Sequence, residues 1–331
     1  MGQWPQTAKH GGDARRCIRT MGDLGALWDR HMRSGDWDAA WAISDTVLQA
    51  RAGTTDWHRP RHLQAVWDGT APAGRRVLVR CYHGLGDTIQ FIRFVPQLQA
   101  IAAEVTVWAQ PALLPLIGTL PGIGRLLPLH DGTPEAAFDV DIEVMELAHL
   151  FRPTPSTLPA QVPYLHPGRA ARRSRDCLAV GLVWQAGAWD DSRSVPIALL
   201  RPLSEIPGVT LHILQRGAAA PGFGLASGAD DILQAARMMT TLDLIVSVDS
   251  MPAHLAGALG LPVWTLLTHR ADWRWMEGRE DSPWYPTMRL LRQPGPGDWG
   301  AVVARLCRDL RALAAAHSLH SAPDNQDHAG S

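Results

Sequence analysis

Two rhythms of apolar and polar positions divide the chain. Over 21–53, Leu24, Leu27, Trp28 and Met32 recur at helical spacing, and Ser34-Gly35-Asp36 reads as a turn. Ala39, Ala40, Ile43 and Val47 then form a second stripe. This predicts a helical hairpin within 21–60, while 1–20 lacks a period and is expected to be disordered. From Arg75 the period changes. RRVLVRC, VTVWAQ, GRLLPL and FDVDIEV are short aliphatic and β-branched runs. TIQFIRFVPQLQAI and PALLPLIGTL between them read as helices, the first kinked at Pro96. Strand and helix alternating at this spacing predict a parallel sheet covered on both faces, over 61–165. The proline- and arginine-rich stretch 151–176 breaks the rhythm and reads as a linker. It restarts with CLAVGLVWQ, VTLHILQRG, DLIVSVDS and LPVWTLLT as strands, and IALLRPLSEI, DILQAARMMTTL and MPAHLAGALG as helices. A closing helix starts at GDW with Asp298 as its cap. The second domain thus spans 166–316, and 317–331 is expected to be a disordered tail. The fold class is α/β: two doubly wound domains facing a cleft, behind a short helical hairpin.

Composition narrows the chemistry. The formal net charge is −1, so no bulk field draws the chain to nucleic acid or a membrane surface. Lys9 is the only lysine, which leaves phosphate contacts in the folded body to Arg and His. Cys17, Cys81, Cys177 and Cys307 have neither metal-ligand nor redox spacing. The N-terminus has no secretory core, and no apolar run reaches membrane-spanning length. A cytoplasmic protein is expected, with peripheral association at the inner membrane left open. The hairpin looks like a single tetratricopeptide-type repeat, whose period is about 34 residues. One repeat does not bury its own face, so it is expected to pack on the next domain or dock a protein partner.

Four stretches concentrate the candidate chemistry. In VRCYHGLGDTIQF, Asp87 stands in a glycine turn between strand and helix. A carboxylate there is wrong for pyrophosphate, which argues against a dinucleotide site. It either caps a helix starting at Thr88 or takes a proton from a hydroxyl, and both roles can coexist. His83, Gly84, Gly86 and Gln90 line the same turn and are the expected acceptor-side contacts. In VSVDSMPAHLAGALG, a buried strand ends at Asp249-Ser250, and a helix follows at once. The free amides of Ser250 and Met251 and the positive helix end form an anion site. Asp249 is expected to face sugar hydroxyls or those amides. His254, one turn in, is either a ligand contact or a packed helix histidine. In VWQAGAWDDSRSVPI, Arg193 is the cation for a diphosphate. Asp190-Asp191 and Asp139 with Asp141 read as solvated or strand-alternating carboxylates rather than a metal site. In HRADWRWMEGREDSPWYPTMRLLRQ, Trp273, Trp275, Trp284 and Tyr285 either stack a ligand or form a local aromatic core.

Taken together and in this order, GLGDTIQFIRF, GLVWQAG with DSRSVPI, VSVDSMPAHLAGALGLPVW, DWRWMEGREDSPWYPTMRLLRQ and GDW resemble one family. It is that of bacterial tetratricopeptide-associated, heptosyltransferase-like glycosyltransferases of family nine, over roughly residues 60–310. The resemblance implies a GT-B fold of two Rossmann-like halves, with acceptor in the first, nucleotide-sugar in the second, and no metal or cofactor. It implies Asp87 as general base, Asp249 and Ser250 as donor contacts, and Arg193 as the basic residue before the Ser-Val-Pro segment. Relatives usually carry Glu-Gln where this chain has Tyr82-His83. The expected activity is metal-independent transfer of a sugar, with ADP-heptose one candidate donor, to a glycan or protein hydroxyl. A non-catalytic partner-binding module on a degenerate fold, and a nucleotide-sugar epimerase or hydrolase, are the alternatives.

Overall fold

The computed structural model describes residues 12–54, 57–168, 177–187, 190–217 and 221–321. Residues 1–11 and 322–331, which are parts of the segments 1–20 and 317–331 expected to be disordered, and 169–176 of the linker 151–176 lie outside them. The chain divides into two compact units. The first comprises Met1–Pro167 with Gly257–Gly260 and Ala271–Met288; the second comprises Gly168–Ala256, Leu261–Arg270 and Arg289–Ser331.

The first unit opens with the hairpin of α1 (Gly12–Ser34) and α2 (Trp37–Ala50). α1 starts ahead of the position expected from periodicity, inside the segment read as disordered. Gly35, at φ +85°, makes the turn that a side chain would strain. The hairpin's apolar face is covered by the chain itself. Trp28 meets Trp273 edge-on with ring centroids 5.2 Å apart, and Trp37 stacks on Trp284 at 5.5 Å. Arg33 donates to the Ala271 carbonyl. These rings and carbonyls explain why Ala271–Met288, expected in the second domain, packs with the first unit.

β1 (Arg76–Arg80), α3 (Leu85–Phe91), α4 (Val95–Gln99), β2 (Glu104–Ala109), α5 (Leu114–Ile117), β3 (Arg125–Pro128), β4 (Val140–Glu143) and α6 (Glu146–Phe151) complete its α/β part. The sheet is parallel with order β3-β2-β1-β4. The helical run after β1 breaks into a 3₁₀ turn at Ile92–Phe94, and Pro96 falls in the first turn of α4, where its missing N–H costs nothing. α6 was hidden in sequence by the adjoining prolines.

The second unit holds β5 (Leu178–Val183), α7 (Ile197–Leu200), β6 (Val209–Ile213), β7 (Leu225–Ala226), α8 (Ile232–Met239), β8 (Leu244–Val248), α9 (Met251–Ala258), β9 (Val263–Leu267), β10 (Met288–Arg292) and α10 (Trp299–Ser321). Its sheet runs β10-β9-β8-β5-β6-β7. Every residue of β5 and β8 is buried, as a central parallel strand covered on both faces requires. Gly181 in β5 lets Leu214, Leu242 and Ile245 close over the strand, because a Cβ there would lie 2.6–2.9 Å from their methyls. Asp298 caps α10, accepting the Ala301 N–H at 2.9 Å. Among the described residues no helix is long and apolar enough to cross a membrane.

Candidate functional site

Each unit has a point where strand order reverses. In such sheets the loops at the carboxyl ends of the two diverging strands part and leave a crevice.

In the first unit that point lies between β1 and β4, whose last residues Arg80 and Glu143 are register partners. β1 leads through Cys81-Tyr82-His83 into Gly84, the N-cap of α3. α3 begins at Leu85, not at Thr88, so Asp87 sits inside its first turn and reaches back. Its Oδ2 accepts the Gly84 N–H at 3.1 Å. A Cβ on Gly84 would crowd that oxygen at 3.2 Å. A cap of this kind contributes about 1 kcal/mol. The other oxygen, Oδ1, accepts a charge-assisted bond from Arg274. Arg274 also lies 3.0 Å from Asp272 Oδ1, and its guanidinium stands over the rings of Trp273 and Phe91. Asp87 is thus both cap and ion-pair partner.

His83 adjoins this pair. Its Nδ1 lies 2.9 Å from Glu143 Oε1. Glu143 is held by the N–H groups of Met145 at 2.7 Å and Tyr82 at 3.3 Å. Burial pushes the imidazole's pKa down, but the Glu143 charge and contact, aided by Asp87 and opposed by Arg274, leave it above the ordinary histidine value. Gly84 is exposed and Gly86 half-buried, so both remain available to a ligand. Gln90 is not: like Thr88 and Ile89 beside it, it is fully buried, which corrects its expected place on the acceptor side.

In the second unit the reversal falls between β5 and β8. A cavity of about 320 Å³ opens there, lined by Gln185 and Gly187 after β5, Gln215 and Arg216 after β6, and Ser250 and Met251 at the start of α9. Val183, Leu214 and Met239 supply apolar wall. Gln215 Oε1 ties two of these loops together by accepting the N–H groups of Gln185 at 2.9 Å and Trp184 at 3.2 Å. Ser250 and Met251 thus line the cavity at the start of α9. Pro252, the second residue of α9, has no N–H to offer. Ser250 Oγ rests on the Val248 carbonyl at 3.2 Å.

Arg193, Asp249 and His254 do not line the cavity. Arg193 Nη1 donates to the Asp249 carbonyl at 2.9 Å and lies 3.8 Å from its carboxylate, bracing the chain just before Ser250. His254 and Asp249 are buried. The cation at the cavity wall is Arg216, a residue not singled out by sequence; its place after β6 was the available signal. It pairs with Asp230 at 3.2 Å. Glu143 and Arg274 were missed as well. Among the described residues, no group of three or more His, Cys, Asp or Glu is arranged to hold a metal ion.

Two parallel α/β units, each open at its strand-order reversal, define the GT-B class of glycosyltransferase fold. Within it, residues 213–288 match the family model of glycosyltransferase family 9 (heptosyltransferase). The ADP-heptose LPS heptosyltransferase II of E. coli superposes with a TM-score of 0.52 at 15% identity, covering 73% of this chain and 99% of that one. A family 9 glycosyl transferase from Veillonella parvula gives 0.50 at 13% identity, covering 76% and 99%. Protein FlbA of Caulobacter vibrioides is 25% identical over 293 residues, which are 75% of this chain. The chain spans about half of that relative's length, 48%.

Proposed function

We propose that this chain transfers a sugar from a nucleoside-diphosphate sugar to a hydroxyl of a glycan or protein acceptor, without a metal ion. The observation that carries this reading is the cavity at the β5–β8 reversal, lined by Ser250, Met251 and Arg216, residue types that can offer amides, a hydroxyl and a positive charge. That set suits a diphosphate, whose charge grows as the glycosidic bond breaks. Arg193 fixes the start of α9 through the Asp249 carbonyl and adds its charge behind the amides. Donors of this kind supply the electrostatic stabilisation that a metal gives elsewhere. The apolar wall suits a base or the carbon face of a sugar.

The acceptor side is assigned to the β1–β4 reversal, with Asp87 as the group that draws the proton from the hydroxyl. As the acceptor oxygen bonds to the anomeric carbon, the bond from that carbon to the diphosphate breaks, and its electron pair leaves with the phosphate. The heptosyltransferase family match over 213–288 and the ADP-heptose named for the E. coli neighbour favour an ADP-linked heptose among the donors to be tried. The site of action is taken to be the cytoplasm. Purified protein is to be screened by thermal shift with ADP, UDP and GDP, then by mass spectrometry for transfer from the matching sugar nucleotides. Stabilisation by one diphosphate and acceptor-dependent loss of its sugar are expected. No shift with any of the three, and no donor consumed, would overturn the reading.

A further inference from the structure

Beside Asp87 stands a second acid–base group that the family pattern does not supply. The carboxylate of Glu143, 2.9 Å from His83 Nδ1, favours a hydrogen on that nitrogen and leaves Nε2 as the one that takes up a proton. Glu143 itself is almost sealed from solvent, its side chain 2% exposed. Facing a neutral imidazole, it is a buried carboxylate stabilised by dipoles alone; facing an imidazolium, it is half of an ion pair. The charges that act on the ring come from three elements: Glu143 at the end of β4, Asp87 in α3, and Arg274 in the turn Trp273–Trp275. Gln110 holds the His83 carbonyl at 2.7 Å, fixing the backbone beneath the ring.

Both carboxylate oxygens of Asp87 are already engaged. Its Oδ2 is committed to the Gly84 N–H and its Oδ1 to Arg274. Protonation would weaken a cap and a charge-assisted pair together.

Resting on the sugar-transfer reading above, we propose that His83 is a second proton-accepting residue of the reaction, with Glu143 as its counter-ion. The proton leaves the acceptor hydroxyl for Asp87 as the new C–O bond forms. It then passes, directly or over one water, to His83 Nε2. The charge ends as a His83–Glu143 ion pair, and the Asp87–Arg274 pair is restored; release of the proton to solvent resets the site. His83 must be neutral at the start, so transfer slows as pH falls through its pKa. Burial opposes that pKa's rise, and Glu143 and Asp87 outweigh it, so the limb lies above the ordinary histidine value.

The test measures kcat/KM against pH for the full chain, His83→Gln and Glu143→Gln, alongside an NMR titration of the His83 ring. In the wild type an acid limb is expected at the NMR midpoint. Glu143→Gln should move limb and midpoint down together, because the neutral amide no longer holds the imidazolium. His83→Gln should lower kcat/KM by about 10²-fold, the low end for loss of a general base, and remove the limb. His83→Gln, at a position 22% exposed, serves if Glu143→Gln fails to fold by circular dichroism. A wild-type limb that persists in His83→Gln, or a limb that does not follow the NMR midpoint, overturns the proposal while leaving sugar transfer intact. Absence of transfer and donor cleavage in the wild type overturns both.

Discussion

Replacing Arg193 by alanine tests whether the start of α9 is a diphosphate site. The Arg193 side chain is only 14% exposed, so solvent screens it weakly. Its Nη1 bond to the Asp249 carbonyl is 2.9 Å long, and Ser250 follows directly. A hydrogen bond from a charged group contributes about 1.5–3 kcal/mol. At about 1.4 kcal/mol per tenfold, complete loss on binding would span roughly 10- to 100-fold in Kd. The brace exists without ligand, so part of its energy belongs to folding, and the expected loss of affinity is near the lower end, about tenfold. Isothermal titration with the diphosphate found by thermal shift measures it. Arg193→Lys separates two ways of acting. Lysine keeps a point charge but lacks the planar fork that meets a fixed carbonyl while leaving other donors free. It should restore affinity if the residue meets phosphate directly and stay as weak as alanine if it braces. A Kd for Arg193→Ala within about twofold of wild type would refute the placement of the diphosphate at α9, since an anion site depends on charge and amide position together.

Asp87→Asn keeps an oxygen for the Gly84 N–H and removes the proton acceptor. It should lower turnover at least about 10²-fold with the diphosphate Kd unchanged, and a wild-type rate would remove Asp87 from the chemistry. Gly257→Ala would place a Cβ 2.4 Å from Tyr285 Cδ1, against a fully buried ring with Arg93 over its face. Overpacking of about 1–3 kcal/mol should outweigh the helix-propensity gain and lower Tm by several degrees in differential scanning; an unchanged Tm would argue against that close approach. Asp139, paired with Arg76, has its pKa lowered from 3.8 to about 2. Its contribution to stability is therefore present above 3.8 and lost as pH falls toward 2. Asp139→Asn should flatten that part of an acid-unfolding curve, and an identical slope would show that the pair is not formed in solution.

Most of the strand–helix alternation was legible because parallel strands buried on both faces leave predominantly aliphatic runs. RVLVR, LAVGLV and LIVSV are such runs, and the sheets carry them at their centres. β10 was not legible: MRLLR adjoins a stretch dense in Trp, Arg and Asp, whose composition masks a short strand. The start of α1 was misjudged because the segment before residue 21 mixes glycine and charge without an apolar stripe. Ser250 and Met251 could be placed because a strand followed at once by a helix dictates where free amides point. The partners of Asp87 and His83 could not. Arg274 lies 187 residues beyond Asp87, and Glu143 meets His83 only because β4 joins β1 out of sequence order. The lack of any lysine beyond Lys9 pointed to arginine as the cation, but selecting Arg216 required knowing that β6 lies beside β5.

The return of Ala271–Met288 to the first unit limits how this chain can be recombined. Grafting one parent's C-terminal half onto another's N-terminal half would cut through the first unit. A crossover at residue 168 would bring Arg274, Trp273 and Trp284 from the wrong parent and leave Asp87, Trp28 and Trp37 facing strangers. A workable hybrid has to exchange 168–256, 261–270 and 289–331 together, and keep the native 257–260 and 271–288 with their own hairpin.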